Sequence, residues 1–322
     1  MIKLKICRTV SGDINIKNLG FCQCHEHLFL KNGIPAEINN ALVMENYQNT
    51  LQEVSEYKMA GGNSIVDAQP LGTGRMADSL FEVSNEAKVN IIASTGYHKL
   101  IFYPKEHWIR DCPVNQYQQI LDREINIGMY EEDIDSPTLT GKRAGMIKTA
   151  YVQNDNMNRY KKLLEASAEV AKSNGTPLMC HTDYGENSLE ATKIILSTGI
   201  PPSSVIICHL DRKINNINLH MEVADKGVLL DYDTIGRFKY HDDESEIDLI
   251  KKMIKNGFLN NILLSLDTTR ERLKAYGGKI GLSYLLKNFI PHMKKRGVSQ
   301  KEIDIMMIDN PQKALQIKKR SG

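Results

Sequence analysis

The segment CHEHLFL (residues 24–30) sets two imidazoles, His25 and His27, around Glu26. On an extended strand, residues i and i+2 share a face, so this pair can offer two nitrogen ligands to one cation. Four more residues of ligand type follow: Lys148 in AGMIKTA, His181 in TPLMCHT, His209 in SVIICHL and Asp267 in NILLSLD. Four imidazoles and a carboxylate suit divalent metal ions, zinc first, with manganese or cobalt as alternatives. A protonated lysine would be repelled by such ions. A neutral amine that has taken up carbon dioxide is an anionic carbamate, whose two oxygens can bridge metals roughly 3.5–4 Å apart. Burial beside positive ions favours the neutral amine that this reaction needs. Two divalent ions, set against the carbamate, Asp267 and a bridging hydroxide, leave one positive charge, which suits an anionic transition state. Asp267 would then also serve as the catalytic general base and acid.

The elements that must position these residues are short β-branched runs, each followed by a stretch of helical period. Eight such runs lie at 20–25, 63–69, 89–95, 144–150, 176–182, 204–210, 227–233 and 261–267. This alternation predicts a distorted (β/α)8 barrel, with an open doubly wound sheet as the competing arrangement. Lys148 and His181 are 33 positions apart, His181 and His209 are 28, and His209 and Asp267 are 58. These gaps are one, one and two βα units, which puts every candidate ligand on one rim, the C-terminal ends of the strands. A binuclear metal centre is expected there. Residues 1–19 predict a hairpin or cap turning at SGD. The segment 281–319 predicts helices packed on the outside, with Asn310 capping a last helix that begins at Pro311. No linker or shift in composition divides the chain, so 1–322 reads as a single domain.

Charge excludes some functions. The 41 basic and 39 acidic residues nearly cancel, and no basic tract or acidic tail stands out, so neither nucleic acid nor a membrane is expected as a partner. The start, MIKLKICRTVSGDINIK, is too polar for a signal peptide, so a cytoplasmic location is expected. The six cysteines form no CxxC pair. Cys24, Cys180 and Cys208 each precede a candidate ligand. Strand alternation would turn them away from the histidines into apolar packing, as small hydrophobes. Zinc ligation by Cys22 and Cys24 would need a different geometry.

The segments HEH (25–27), IVDAQPLGTGR (65–75), GMIKTA (145–150), CHTDYG (180–185), ICHLDR (207–212) and LSLDTTR (264–270) resemble the phosphotriesterase family of the amidohydrolase superfamily. The resemblance implies that His25, His27 and Asp267 hold the more buried metal. His181 and His209 would hold the more exposed one, with carboxylated Lys148 bridging both. It also implies a homodimer acting on a small-molecule substrate. Members of the family hydrolyse organophosphates, acyl-homoserine lactones or sugar lactones. Here GRFKY (236–240) and KAYGG (274–278) resemble the branch that opens phosphorylated sugar lactones. That branch is expected to use a tyrosine near position 273, where this chain has Leu273 with Arg272 and Tyr276 nearby. Lys239 and Arg270 are candidate phosphate contacts, or else solvated loop charges. Tyr97 and His98 are candidate substrate contacts, or else rim packing. The expected activity is opening of a sugar lactone, a phosphorylated aldono-1,4-lactone. The alternatives are a phosphotriester, carboxylester or acyl-lactone on the same metals, or a degenerate barrel that only binds.

Overall fold

The computed structural model describes residues 5–135, 139–153 and 156–318. Two short strands, β1 (Ile6–Thr9) and β2 (Gly12–Asn15), pair antiparallel as an N-terminal hairpin. Eight strands follow: β3 (Cys22–Glu26), β4 (Ser64–Asp67), β5 (Asn90–Gly96), β6 (Met146–Tyr151), β7 (Leu178–Thr182), β8 (Val205–Cys208), β9 (Leu229–Tyr232) and β10 (Ile262–Leu264). They pair in chain order, all parallel, each at one of the eight predicted runs. Helices between them cover the outside, so both faces of the strands are buried, and the polar residues they carry, such as Glu26, Asp67, Lys148 and Asp231, are buried with them.

The ring closes between β3 and β10, where the regular ladder stops. One backbone bond crosses, Asp267 N–H to the His25 carbonyl (3.0 Å). Side chains supply the rest. Ser265 Oγ accepts from the N–H groups of Cys24 (2.9 Å) and His25 (3.1 Å). Glu26 accepts from the N–H groups of Leu266 (2.8 Å) and Thr268 (3.1 Å).

Alternation holds at β7 but not at two other cysteine–histidine pairs. Cys180 packs outward among helices. Cys24 and Cys208 instead join Val66, Ile92, Met146 and Met179 in the barrel interior. The expected outward orientation fails there because β3 carries a register shift between Gln23 and Glu26, and His209 turns back with φ 70°. Gly96 shows how tightly the strands meet: its φ is 106°, and a Cβ there would lie 1.9 Å from the Lys148 carbonyl oxygen.

At the C-terminus the expected outer helices form, with one correction. Gln300–Asp304, Ile305–Asp309 and Asn310–Leu315 run on as one helix, capped by Ser299 in a reciprocal bond with Glu302. Asn310 is therefore no cap. The π-turn before it accommodates the missing N–H of Pro311, and Asn310 donates to the Leu259 (2.9 Å) and Ile262 (2.8 Å) carbonyls under β10. The end of this predicted segment, residue 319, and residues 1–4 of the predicted cap lie outside the described residues. Among the described residues, no helix is long and apolar enough to cross a membrane.

The loop after β9 is pinned at its base. His241 Nε2 lies 3.0 Å from Glu246 Oε2 and 3.0 Å from Thr234 Oγ1, whose hydroxyl donates to Asp211 (2.6 Å). Burial alone would lower the His241 imidazole, but Glu246 outweighs it and lifts His241 to about 9. Burial, helped by Asp211, lifts Glu246 to about 8. Both values exceed those of the unfolded chain, so folding takes up protons, and this stabilisation is lost as pH rises through about 8 to 9. In thermal unfolding, the wild type should lose more Tm between pH 6.5 and 9.5 than a His241→Gln, Glu246→Gln double variant. Equal losses would show that the folded pair carries no extra proton.

Candidate metal centre

The strand ends bring all six predicted ligands together. Lys148 Nζ, buried in β6, lies 3.0 Å from His25 Nε2 and 3.3 Å from Met179 Sδ. His209 Nε2 faces His181 Nδ1 at 2.7 Å. Asp267 Oδ1 is 3.4 Å from His27 Nε2 and 3.6 Å from His25 Nε2. Ligand-type atoms of His25, His27 and Asp267 cluster within 4.8 Å, and so do those of His209, Asp233 and Asp267. His209 and Asp267 sit at positive φ, 70° and 47°. Such left-handed non-glycine backbone costs on the order of 1–3 kcal/mol and persists where surrounding contacts fix it.

The hydrogen bonds around the ring nitrogens test whether this group suits cations. Asp233, wholly buried, takes His25 Nδ1 on one oxygen (2.9 Å) and His209 Nδ1 on the other (2.7 Å). Both rings then keep an unprotonated Nε2. His181 Nε2 lies 3.1 Å from Asp183 Oδ1, so its Nδ1 is the free lone pair. Two lone pairs 2.7 Å apart, on His209 and His181, repel unless a cation lies between them. Burial first, then neighbouring cations, hold His25, His181 and His209 well below the usual histidine range, which removes the proton as that cation. His27 Nδ1 is buried without a hydrogen-bond partner. Burial alone would raise Asp267, but Arg237 and the adjacent histidines hold it well below the usual carboxylate range, so it is an anion. Neutral nitrogens and an anionic oxygen, oriented and waterproofed in this way, form a donor set for divalent metal.

Above this group opens a cavity of about 570 Å³. His98 and Lys239 line it. His98 packs edge-on against His181, with centroids 4.9 Å apart. Two other expected contacts do not reach it. Tyr97 falls on the outward parity of β5, is fully buried between Tyr117 and Tyr160, and donates to the Ala150 carbonyl (2.8 Å). Arg270 is exposed and turned away, with its guanidinium on Asn40 Oδ1 (3.3 Å) and its N–H on the Ala41 carbonyl (3.2 Å). Other cations line the cavity instead: Lys99, Arg212, Arg237, Arg272 and Lys279. Arg237 (2.8 Å) and Arg212 (3.3 Å) both hold Asp267 Oδ2, and Lys99 pairs with Asp183 (2.6 Å). Sequence reasoning missed Asp233 and Asp183. Asp233 ends the seventh run as Asp267 ends the eighth, so the rule that located the ligands also pointed to it.

Replacing Asp233 with Asn should leave an acceptor for one ring and set an NH₂ against the Nδ1–H of the other. Divalent-ion affinity, titrated against a chromogenic chelator, should fall roughly 10- to 100-fold. Unchanged affinity would mean that the rings are oriented by other contacts.

Comparison with known proteins agrees with the geometry. Residues 5–315 match the phosphotriesterase family. The chain is 33% identical to a phospho-furanose lactonase of Mycoplasmopsis synoviae, over 97% of this chain and 92% of that one. Among solved structures, it is similar to an amidohydrolase from Mycoplasma synoviae, with a TM-score of 0.94, 30% identity, and coverage of 99% of this chain and 94% of that one. It is also similar to a lactonase from Listeria monocytogenes, with a TM-score of 0.89, 25% identity, and coverage of 98% and 100%. With its buried histidine and aspartate cluster at the mouth of a parallel barrel, the chain belongs to the phosphotriesterase family and is a metal-dependent hydrolase.

Proposed function

We propose that the protein opens a phosphorylated sugar lactone, an aldono-1,4-lactone. One observation carries this reading: the cluster forms the floor of a cavity whose lining also includes Lys239, after β9, and Lys279, after β10. The relative named phospho-furanose lactonase supports the same substrate class. Phosphate at this end of a barrel, near its last two strands, is a recurrent arrangement. In this proposal Lys239 and Lys279 hold the phosphate, and Arg270 does not.

His25, His27 and Asp267 would hold one divalent ion, and His181 and His209 the other, with Lys148, carboxylated, shared between them. Bound there, the two ions supply carbonyl polarisation and a water whose pKa is lowered to about 7. Asp267 accepts the proton of the attacking water and returns it to the ring oxygen as the acyl–oxygen bond breaks, leaving an open hydroxy acid. Arg237 and Arg212 fix its other oxygen and so its aim. His98, against His181, walls the sugar side of the cavity.

Pentono- and hexono-1,4-lactones, with and without a terminal phosphate, should be assayed beside paraoxon on zinc- and manganese-loaded protein. Turnover should favour the phosphorylated lactones. Comparable turnover of paraoxon with none of any lactone would overturn the reading. Asp267→Asn should cut kcat by roughly 10²- to 10⁴-fold, the usual contribution of a positioned acid–base. Near-normal kcat in a metal-loaded Asn variant would remove Asp267 from that role. Lys239→Ala and Lys279→Ala should each raise KM for the phosphorylated lactone roughly tenfold, about one charge-assisted hydrogen bond. KM for the neutral lactone should hardly change. Equal effects on both lactones would mean that these lysines do not meet the phosphate.

A further inference from the structure

Glu26 stands between two metal-ligand candidates, yet its side chain does not turn to them. It is fully buried and makes four hydrogen bonds, in all of which it accepts. Oε1 receives Gln23 Nε2 (2.9 Å) and Leu266 N–H (2.8 Å). Oε2 receives Thr268 N–H (3.1 Å) and Thr268 Oγ1–H (2.8 Å). The two backbone donors belong to the residues immediately before and after Asp267. Asp267 itself has φ 47°, and its own N–H is held by the His25 carbonyl. Three consecutive N–H groups, 266 to 268, are thus fastened to His25 and Glu26 across the barrel seam.

We propose that Glu26 is a positioning residue that sets Asp267, by clamping the backbone on both sides of it in its left-handed turn. The regular ladder stops between β3 and β10, the two ends of the sheet, and a side chain takes over there. This role also explains why a carboxylate stands here. A carboxyl group offers an acceptor on each oxygen, whereas a glutamine would place its NH₂ against donors that already need partners. Thr268 extends the clamp: its hydroxyl donates to Glu26 and accepts from His27 N–H (3.4 Å). Glu26 and Thr268 together therefore couple the segment that carries His25 and His27 to the ligand after β10.

This inference rests on the reading of Asp267 as a ligand and proton carrier, and its test does not require the substrate to be known. The variants are Glu26→Gln, Thr268→Val, which removes the hydroxyl at nearly constant shape, and Thr268→Ser, which keeps it. Each is loaded with cobalt. The visible ligand-field spectrum, the rate of cobalt loss to excess chelator and Tm are then recorded. Glu26→Gln and Thr268→Val should lose cobalt at least tenfold faster than wild type and show altered ligand-field bands, and Thr268→Ser should behave as wild type. In an Asp267→Asn background, Glu26→Gln should add little further effect, because both changes act through one side chain. A fall in Tm with unchanged spectrum and unchanged cobalt release overturns the proposal and leaves Glu26 with a purely structural role. If Glu26→Gln does not fold, Thr268→Val decides alone by the same readouts. Wild type that opens lactones beside variants with normal cobalt release sinks the clamp and leaves the lactonase reading standing. Wild type that opens no lactone beside fast-releasing variants does the reverse.

Discussion

Closure of the strand ring between Cys22–Glu26 and Ile262–Leu264 is the constraint on which the site depends. His25 and His27 enter at the first barrel strand and Asp267 leaves at the last, so the three meet only if the ends of the sheet meet. Elsewhere adjacent strands zip through parallel ladders, with a register shift between β3 and β4. At this seam the ladder is interrupted, and Ser265 and Glu26 carry the bonds that backbone would carry in an ordinary pair. An uninterrupted ladder would hold its residues in extended geometry, and Asp267 could not adopt φ 47°. The irregularity that weakens the ring as a sheet is what aims the ligands.

The same rim concentrates groups that a hydrophobic core would exclude. Lys148, Asp233, His25 and His209 are all buried, and an unpaired ion in such a place is costly. Asp233 shows how the cost is contained. Its two oxygens meet two neutral rings, so neither oxygen is left without a partner, and each ring keeps its lone pair turned to the centre. Asp267 is balanced from the other side by Arg237 and Arg212. What stays unbalanced is the set of inward lone pairs, and cations balance them. The apparent frustration of the protein alone therefore describes its affinity for metal.

Much of this could be read in the residues, because one periodic rule governs it. Strand ends recur once per βα unit, so a histidine, lysine or aspartate at such an end belongs to the same rim however far apart in sequence. Parity within a strand is a second rule, and it worked for His181 and Cys180. Applied to β5 it also excludes Tyr97, which follows an outward-facing row and packs against helices. The rules stop where the backbone leaves them. The register shift of β3 and the left-handed His209 put Cys24 and Cys208 inside the barrel, where simple alternation places them outside. Asn310 looked like a cap because it precedes a proline. The π-turn that lets the helix pass through Pro311 is a packing solution with no local signature.

Loops obey neither rule, and that is where Arg270 and Lys279 exchange places. Arg270 lies three residues beyond Asp267, close in sequence to the ions, but the turn at Asp267 swings it out to Asn40. Arg272 returns toward the cavity, yet its guanidinium is spent on the carbonyls of Leu266 and Ile235, which ties the last two loops together. Leu273 follows it into the core. Beyond the glycine pair Gly277-Gly278, Lys279 brings a further cation to the cavity lining. At Gly278, a Cβ would lie 2.5 Å from the Glu271 carbonyl oxygen, so the chain doubles back there only because no side chain intervenes. The barrel fixes where bonds are broken, while a doubled-back loop decides which charge faces the substrate. Loops of this kind can change that charge without disturbing a single ligand.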